Sequence, residues 1–405
     1  MEQRLRQGRR RPSARPLLTD RPALQPAARV ARRDARASGL RYVRVDDPGI
    51  RRQKVGRGFS YVTPAGRRLR SAGTLARIRA IAIPPAWTEV WISPDPNGHI
   101  QAMGRDAAGR RQYRYHAAFR RRRDTSKFDR LVEFGRRLPR IRRRVRHDLA
   151  RRGLPRDKVL AAVVTLLELT HLRVGNPEYA ALNRSFGLST LRDRHARVSG
   201  STIRLRFRGK GGRTEERVLI DRRLASLVRR CQELPGQELF QYEDEVGEIR
   251  PIASEDVNEY IREAAGDGAF SAKDFRTWTA TLAAFRALRS GAGAAGGSES
   301  SARKPVLEAL RHTAEELGNT LAVTRASYVH PGLVAAFEAE GPAAAPRKSA
   351  GARVDRRAPL ERPATRREEL DLLRLLRGAS RSAAAARRSR VGAQRVAGRS
   401  RRLRS

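Results

Sequence analysis

The hydrophobic period changes once along the chain, and that change limits the fold more than any other feature. Between about residues 39 and 119 the apolar residues come in short alternating runs: Phe59-Ser-Tyr-Val-Thr, Glu89-Val-Trp-Ile-Ser, His99-Ile-Gln-Ala-Met-Gly and Gln112-Tyr-Arg-Tyr-His. Turn formers such as Pro64-Ala-Gly, Pro94-Asp-Pro-Asn-Gly and Arg105-Asp-Ala-Ala-Gly separate them. Alternation turns one face of a strand inward, so a small, mainly β domain is expected there. From about residue 124 the spacing becomes helical. Phe128, Leu131, Val132 and Phe134 fall on one side of a helix over 127–138. The stretch 158–172 is apolar nearly all round, which marks a helix buried on every side. Further helices are expected over 222–230, 254–264, 272–288, 304–317 and 320–329. One hairpin interrupts them: Thr202-Ile-Arg-Leu-Arg-Phe-Arg alternates, Gly209-Lys-Gly-Gly turns, and Glu216-Arg-Val-Leu-Ile returns. The expected class is α+β, with a β-rich N-terminal domain over 39–119 and a mainly helical domain over 124–335 that contains a hairpin.

The ends read differently. Residues 1–38 and 341–405 are rich in Arg, Pro, Ala and Ser without apolar periodicity, and both are expected to be disordered basic arms. The second holds one helical island near 365–377, where Thr365 is an N-cap candidate and Glu368 stands three residues on. A glycine-rich run from Gly291 to Ser301 has the composition of a flexible linker.

Charge narrows the partners. The chain carries 87 Lys and Arg against 42 Asp and Glu, a net +45. A surface this basic calls for a polyanion, with nucleic acid first and an anionic membrane surface second. The longest nearly apolar stretch, Val159 to Leu167, is far short of a membrane span. The charged N-terminus has no apolar run behind it, so no secretory signal is expected, and a cytoplasmic, nucleoid-associated location fits. Cys231 is the single cysteine, which excludes an internal disulfide and a cysteine-built zinc site. The seven His show no paired metal spacing, and neither a Walker loop nor a Gly-x-Ser-x-Gly elbow occurs. No metal, cofactor or nucleotide is expected.

Chemistry-bearing residues concentrate in separated blocks. Lys210 sits at the hairpin tip among Gly209, Gly211 and Gly212. Lysine is rare here, seven of the 87 basic residues, and unlike arginine it can release a proton near neutral pH when its pKa is lowered. Arg173 follows the buried helix in Leu172-Arg-Val-Gly-Asn-Pro-Glu-Tyr, and Arg276 lies in an apolar helix with Phe275, Trp278, Leu282 and Phe285. A buried arginine is costly unless it meets an anion or hydrogen-bond acceptors. Tyr328 lies in Arg325-Ala-Ser-Tyr-Val-His-Pro, two turns into a short helix that Pro331 is expected to end, after Gly318 as a helix C-cap and Thr320 as an N-cap. Taken singly, each residue has an ordinary structural reading. Together, arginines, a lysine, a polar residue and a tyrosine suit phosphodiester transfer, which needs an oxygen nucleophile, positive donors and an acid for the leaving oxygen.

On these blocks the sequence resembles the poxvirus and bacterial type IB DNA topoisomerases, over about residues 39–335. The resemblance implies that Tyr328 is the nucleophile, that Arg173 and Arg276 are the two catalytic arginines and that Lys210 is the general acid. Asn319, nine residues before Tyr328, stands where the viral enzymes carry His, and Leu321 stands where bacterial relatives commonly show Pro. The resemblance further implies DNA contacts by Gln112, Tyr113, Tyr115 and Tyr179, a monomer that clamps duplex DNA, and relaxation through a 3′-phosphotyrosyl intermediate without ATP or metal. Two rivals remain at this point. A tyrosine recombinase shares the catalytic core, but it typically shows His three residues before the second arginine, where this chain has Lys273. A non-catalytic DNA-packaging protein would suit the charge but gives no reason for the spaced blocks.

Overall fold

The computed structural model describes residues 26–266, 270–291, 299–344 and 364–379. They fall into two compact units that part between Thr125 and Ser126.

The first unit holds α1 (Pro26–Ala37), β1 (Ile50–Val55), β2 (Gly58–Val62), α2 (Ala72–Ala80), β3 (Thr88–Ile92), β4 (Ile100–Arg105) and β5 (Arg111–Tyr115). The strands form one antiparallel sheet in the order β2-β1-β3-β4-β5. Ile50, Val90, Ile92 and Ala102 pack from the sheet against Ile78 of α2. Gly49 is required by close approach: a Cβ there would lie 2.0 Å from Trp91, whose indole donates to the Asp47 carbonyl at 2.8 Å. A second cluster joins Ala35, Leu40 and Phe119, with Tyr42 and Tyr115 against it.

Three elements here differ from the sequence reading. Residues 26–37, assigned to a disordered arm, form α1, whose inward positions Ala31 and Ala35 are too small to show as hydrophobic periodicity. Strand β1 buries only Ile50, and α2 buries only Ile78, so neither carried a pattern. Residues 1–25 lie outside the described residues.

Helix α3 (Ala117–Leu149) begins in the first unit, continues into the second and contains Pro139. The second unit then contains α4 (Arg156–Thr170), α5 (Pro177–Asn183), β6 (Ala196–Ser199), β7 (Thr202–Arg208), β8 (Thr214–Ile220) and α6 (Arg222–Gln232). It goes on with β9 (Gln241–Glu243), β10 (Ile249–Pro251), α7 (Ser254–Ala265), α8 (Ala272–Gly291), α9 (Glu299–Glu316), α10 (Leu321–Ser327) and α11 (Pro331–Glu340). A last helix, α12, spans 366–379. Helix α4 is buried along its length, as its all-round apolar pattern requires. Strand β7 pairs with β8 in full register from Thr202 opposite Ile220 to Arg208 opposite Thr214, and β6 flanks β7. Ile203, Leu205 and Phe207 point inward; Arg204, Arg206 and Arg208 are exposed.

Helix α12 packs Leu372, Leu373 and Leu376 into the main core. Its first turn closes a capping box, in which Thr365 Oγ1 accepts from the Glu368 amide at 3.3 Å and Glu368 accepts from the Thr365 amide at 3.0 Å. Gly135 of α3 lies so close to Trp278 of α8 that a Cβ would be 2.3 Å from the indole ring and 3.0 Å from Leu373. The rest of the C-terminal arm, 345–363 and 380–405, and most of the glycine-rich linker, 292–298, fall outside the described residues. The architecture is a β-rich N-terminal unit and a mainly helical unit with a hairpin, an α+β fold.

Candidate active site

Four of the sequence-selected residues converge on the loop between α9 and α10. Helix α4 ends at His171, in the left-handed conformation, and the chain then turns through Arg173. The Arg173 carbonyl accepts from the Leu188 amide at 2.9 Å, and its guanidinium donates to Asn319 Oδ1 at 3.0 Å. Gly175, with φ of 107°, and Gly187 allow this crossing, since a Cβ on Gly187 would meet the Arg173 carbonyl at 2.6 Å.

Arg276 comes from the start of α8 and is 7% exposed. It donates to the carbonyls of His171 and Leu317, and its guanidinium carbon lies 5.4 Å from the Tyr328 ring centre. The Nε of Arg276 and the Nδ2 of Asn319 are buried with no hydrogen-bond partner among the described residues. Burial draws the Arg276 pKa down to about 10, and the Arg173 charge acts the same way.

Tyr328 caps the C-terminus of α10, and Pro331 opens α11; the tyrosine is therefore at a helix end, not inside a helix as its sequence context suggests. Its amide donates to the Thr324 carbonyl at 3.0 Å, and its carbonyl accepts from Thr281 Oγ1 of α8 at 3.1 Å. Lys127 of α3 donates to the neighbouring Ser327 carbonyl and lies 5.6 Å from the Tyr328 ring centre. Burial alone would raise the Tyr328 pKa. The charges of Arg276 and Arg173, a hydrogen bond from Arg276 and the Lys273 charge outweigh it and leave the hydroxyl more acidic than an ordinary tyrosine.

Lys210 stands apart. It is exposed at the hairpin tip and hydrogen-bonds to none of these four among the described residues. The tip reaches the same loop through Arg213, whose Nη1 donates to the Gly318 carbonyl at 3.2 Å. Sequence reasoning missed Lys127, Thr281 and Arg213. Only Lys127 carried a signal, as one of the few lysines in an arginine-rich chain.

The other sequence-selected contacts are dispersed. Gln112, Tyr113 and Tyr115 lie on β5 in the first unit, and Tyr179 lies on α5 in the second, exposed. Gln112 donates to Asp106 at 3.0 Å. Tyr113 and Tyr115 stack on one strand face with ring centres 5.9 Å apart, and burial raises the Tyr115 pKa.

A half-buried tyrosine made acidic by two arginines, beside buried donors that lack acceptors among the described residues, has the chemistry that an anion would need. Residues 116–340 match the family described as eukaryotic DNA topoisomerase I, catalytic core, and residues 58–106 match bacterial DNA topoisomerase IB, N-terminal domain. Over 286 residues the chain is 33% identical to DNA topoisomerase 1B of Acanthamoeba polyphaga mimivirus, which covers 69% of this chain and 85% of the relative. The chain belongs to the type IB DNA topoisomerases.

Membership in this family makes the chain a DNA topoisomerase with duplex DNA as its substrate, and it decides against the recombinase and packaging alternatives. Both matched regions have counterparts in the fold: the bacterial N-terminal match falls on the β-rich unit, and the catalytic-core match runs from α3 to the end of α11. Helix α12 lies beyond the matched core. Among the described residues no helix is long and apolar enough to cross a membrane.

Proposed function

We propose that this type IB topoisomerase relaxes supercoiled duplex DNA through a transient single-strand break held by Tyr328. The observation that carries the reading is the pair of buried donors without acceptors, Arg276 Nε and Asn319 Nδ2, beside Arg173 and the acidic Tyr328 hydroxyl. Buried donors without partners are uncommon and cost stability, so they indicate a missing acceptor. The non-bridging oxygens of a phosphodiester fit that need in charge and in number of lone pairs.

Tyr328, made more acidic by the neighbouring arginines, gives its proton to water, and its oxygen attacks phosphorus. A phosphorus–tyrosine bond forms, the bond to the 5′ oxygen breaks, and Lys210 supplies the proton that this oxygen takes up. Arg173, Arg276 and Asn319 hold the charge that builds on the non-bridging oxygens. The free 5′ end turns and relieves torsion. Its hydroxyl then attacks back, returns a proton to Lys210 and releases Tyr328. The bond energy stays in the phosphotyrosyl link, so resealing needs no ATP. Gln112, Tyr113, Tyr115 and Tyr179 are proposed to contact the DNA backbone and groove around this step.

The test is relaxation of a supercoiled plasmid in EDTA without ATP, with wild type and Tyr328→Phe. Wild type is expected to relax the plasmid and to leave protein covalently on a 3′ end after denaturation; the variant is expected to do neither. Relaxation by Tyr328→Phe would remove Tyr328 as the nucleophile.

A further inference from the structure

The hairpin tip that carries Lys210 has little stiffness of its own. Gly211 and Gly212 both have φ of 77°, and Gly209 precedes the lysine. Glycine loses more conformational freedom on ordering than any other residue, so a lysine flanked by three of them is poorly fixed by its own backbone. A general acid must nevertheless come within hydrogen-bond reach of the leaving oxygen.

Arg213 is the first residue after these glycines, and it acts on the tip in two ways. Its carbonyl accepts from the Gly209 amide at 2.7 Å, while Gly212 donates to the Gly209 carbonyl at 3.1 Å, so the turn is closed at its base. Its side chain leaves the hairpin and donates to the Gly318 carbonyl at 3.2 Å. Gly318 has φ of 62° at the end of α9 and directly precedes Asn319, which accepts from Arg173. Arg276 donates to Leu317, one residue earlier. Three arginines from separate elements thus meet three successive residues, 317 to 319. Two of them belong to the proposed phosphoryl site, and the third belongs to the hairpin. Glu215, two residues further along β8, lies on the same side: a Cβ on Gly318 would stand 3.8 Å from its carboxylate.

We propose that Arg213 is a positioning residue that docks the Lys210 tip on the Gly318 carbonyl and so sets the general acid at the leaving 5′ oxygen. The inference rests on the reading of Lys210 as that acid. Arg213 touches neither phosphate nor leaving group; it acts through the lysine.

The chemistry of the leaving group separates this role from others. With an ordinary phosphodiester the 5′ oxygen leaves poorly unless it is protonated. With sulfur in the 5′ bridging position a thiolate leaves, and it needs no proton because a thiol is far more acidic than an alcohol. A defect confined to delivery of the proton disappears on the sulfur substrate; a defect in phosphate stabilisation or DNA binding persists.

The experiment measures single-turnover cleavage of a duplex oligonucleotide carrying a site mapped with wild type, in oxygen and 5′-bridging sulfur versions. It uses the full chain as wild type, Lys210→Ala and Arg213→Ala. Arg213 is exposed, and a thermal melt confirms that its variant is folded. On the oxygen substrate Arg213→Ala is expected to be slower by about tenfold, the scale of one hydrogen bond from a charged donor, and Lys210→Ala slower still. On the sulfur substrate both are expected to return to the wild-type rate. Wild-type cleavage of the oxygen substrate by Arg213→Ala overturns the proposal. So does an Arg213→Ala enzyme that stays slow on sulfur while Lys210→Ala is rescued, which would place Arg213 on a phosphate. A Lys210→Ala enzyme that stays slow on sulfur removes the reading of Lys210, and this proposal with it.

Discussion

Arg276 and Arg286 lie on the same helix, α8, and are buried to the same degree, yet they are held in opposite ways. Arg286 donates to Glu368 of α12 at 2.8 Å, with both side chains about 5% exposed. Three residues on, Arg289 pairs with Glu368 and Asp371, and across the helix Arg142 pairs with Glu168 and Glu369. Among the described residues Arg276 forms no such ion pair, although the Glu215 charge acts on it. It donates to two backbone carbonyls and to Tyr328, and the Arg173 charge stands beside it. One end of α8 is neutralised by carboxylates of α12; at the other, Arg276 faces the Arg173 charge. Burial with a carboxylate serves the fold, whereas burial without one is what the proposed function requires of an arginine that meets a substrate anion.

The largest expected effect tests the neutralised end. Arg286→Ala leaves Glu368 buried without its closest partner and is expected to cost about 3–5 kcal/mol of stability, read from denaturant unfolding. Relaxation by the folded fraction should be close to normal. Arg276→Ala is expected to show the reverse: relaxation falls by about 100- to 1,000-fold, as for loss of one preorganised donor to a transition-state oxyanion, while the unfolding midpoint moves little. Equal effects of the two substitutions on both measurements would erase the distinction between the ends of the helix.

An anion sharpens the same contrast. The pKa of Arg276 in the folded chain, about 10, is below its ordinary value. A lowered value subtracts stability throughout neutral pH, where the group is charged both folded and unfolded, and that loss fades only as the pH rises beyond 10. Sulfate is therefore expected to raise the melting temperature of wild type more than that of Arg276→Ala. Tyr328 shifts in the matching direction. In single turnover the cleavage rate is expected to reach its plateau at a pH below the ordinary tyrosine range, and Arg173→Ala should move that plateau upward.

Smaller effects probe the packing between the two ends. Gly135→Ala puts a methyl group into the Trp278 ring and is expected to cost about 1–3 kcal/mol by overpacking. Thr365→Ala removes the cap of α12 and is expected to cost about 1 kcal/mol. If α12 serves only to neutralise and cover α8, neither change should alter the cleavage rate of the folded enzyme.

Much of this was legible in the chain. The all-round apolar stretch of α4, the alternating β7 with its glycine turn and the Thr365–Glu368 capping box each have one physical solution, and the structure adopts it. Elements whose inward residues are few or small were not legible. Helix α1 faces inward with alanines, and β1 buries a single isoleucine. The end of α10 was misplaced for a related reason: nothing in Arg325-Ala-Ser-Tyr-Val-His-Pro breaks a helix before Pro331, and the termination comes from Thr281 on α8, which bonds to the Tyr328 carbonyl and the His330 amide.

The sequence by itself determined the strongly periodic elements, such as α4 and the β7–β8 hairpin, where the charge excess lies and which residue types are available for phosphodiester chemistry, because periodicity and side-chain chemistry are local properties. Tertiary structure alone decided which arginines find carboxylates. Arg276 and Arg286 look alike in the sequence of α8, and the glutamate that separates their fates lies 82 residues beyond Arg286, on a helix outside the matched core. The pairing of a buried charge depends on what the fold brings within hydrogen-bond reach, and no local pattern encodes that distance.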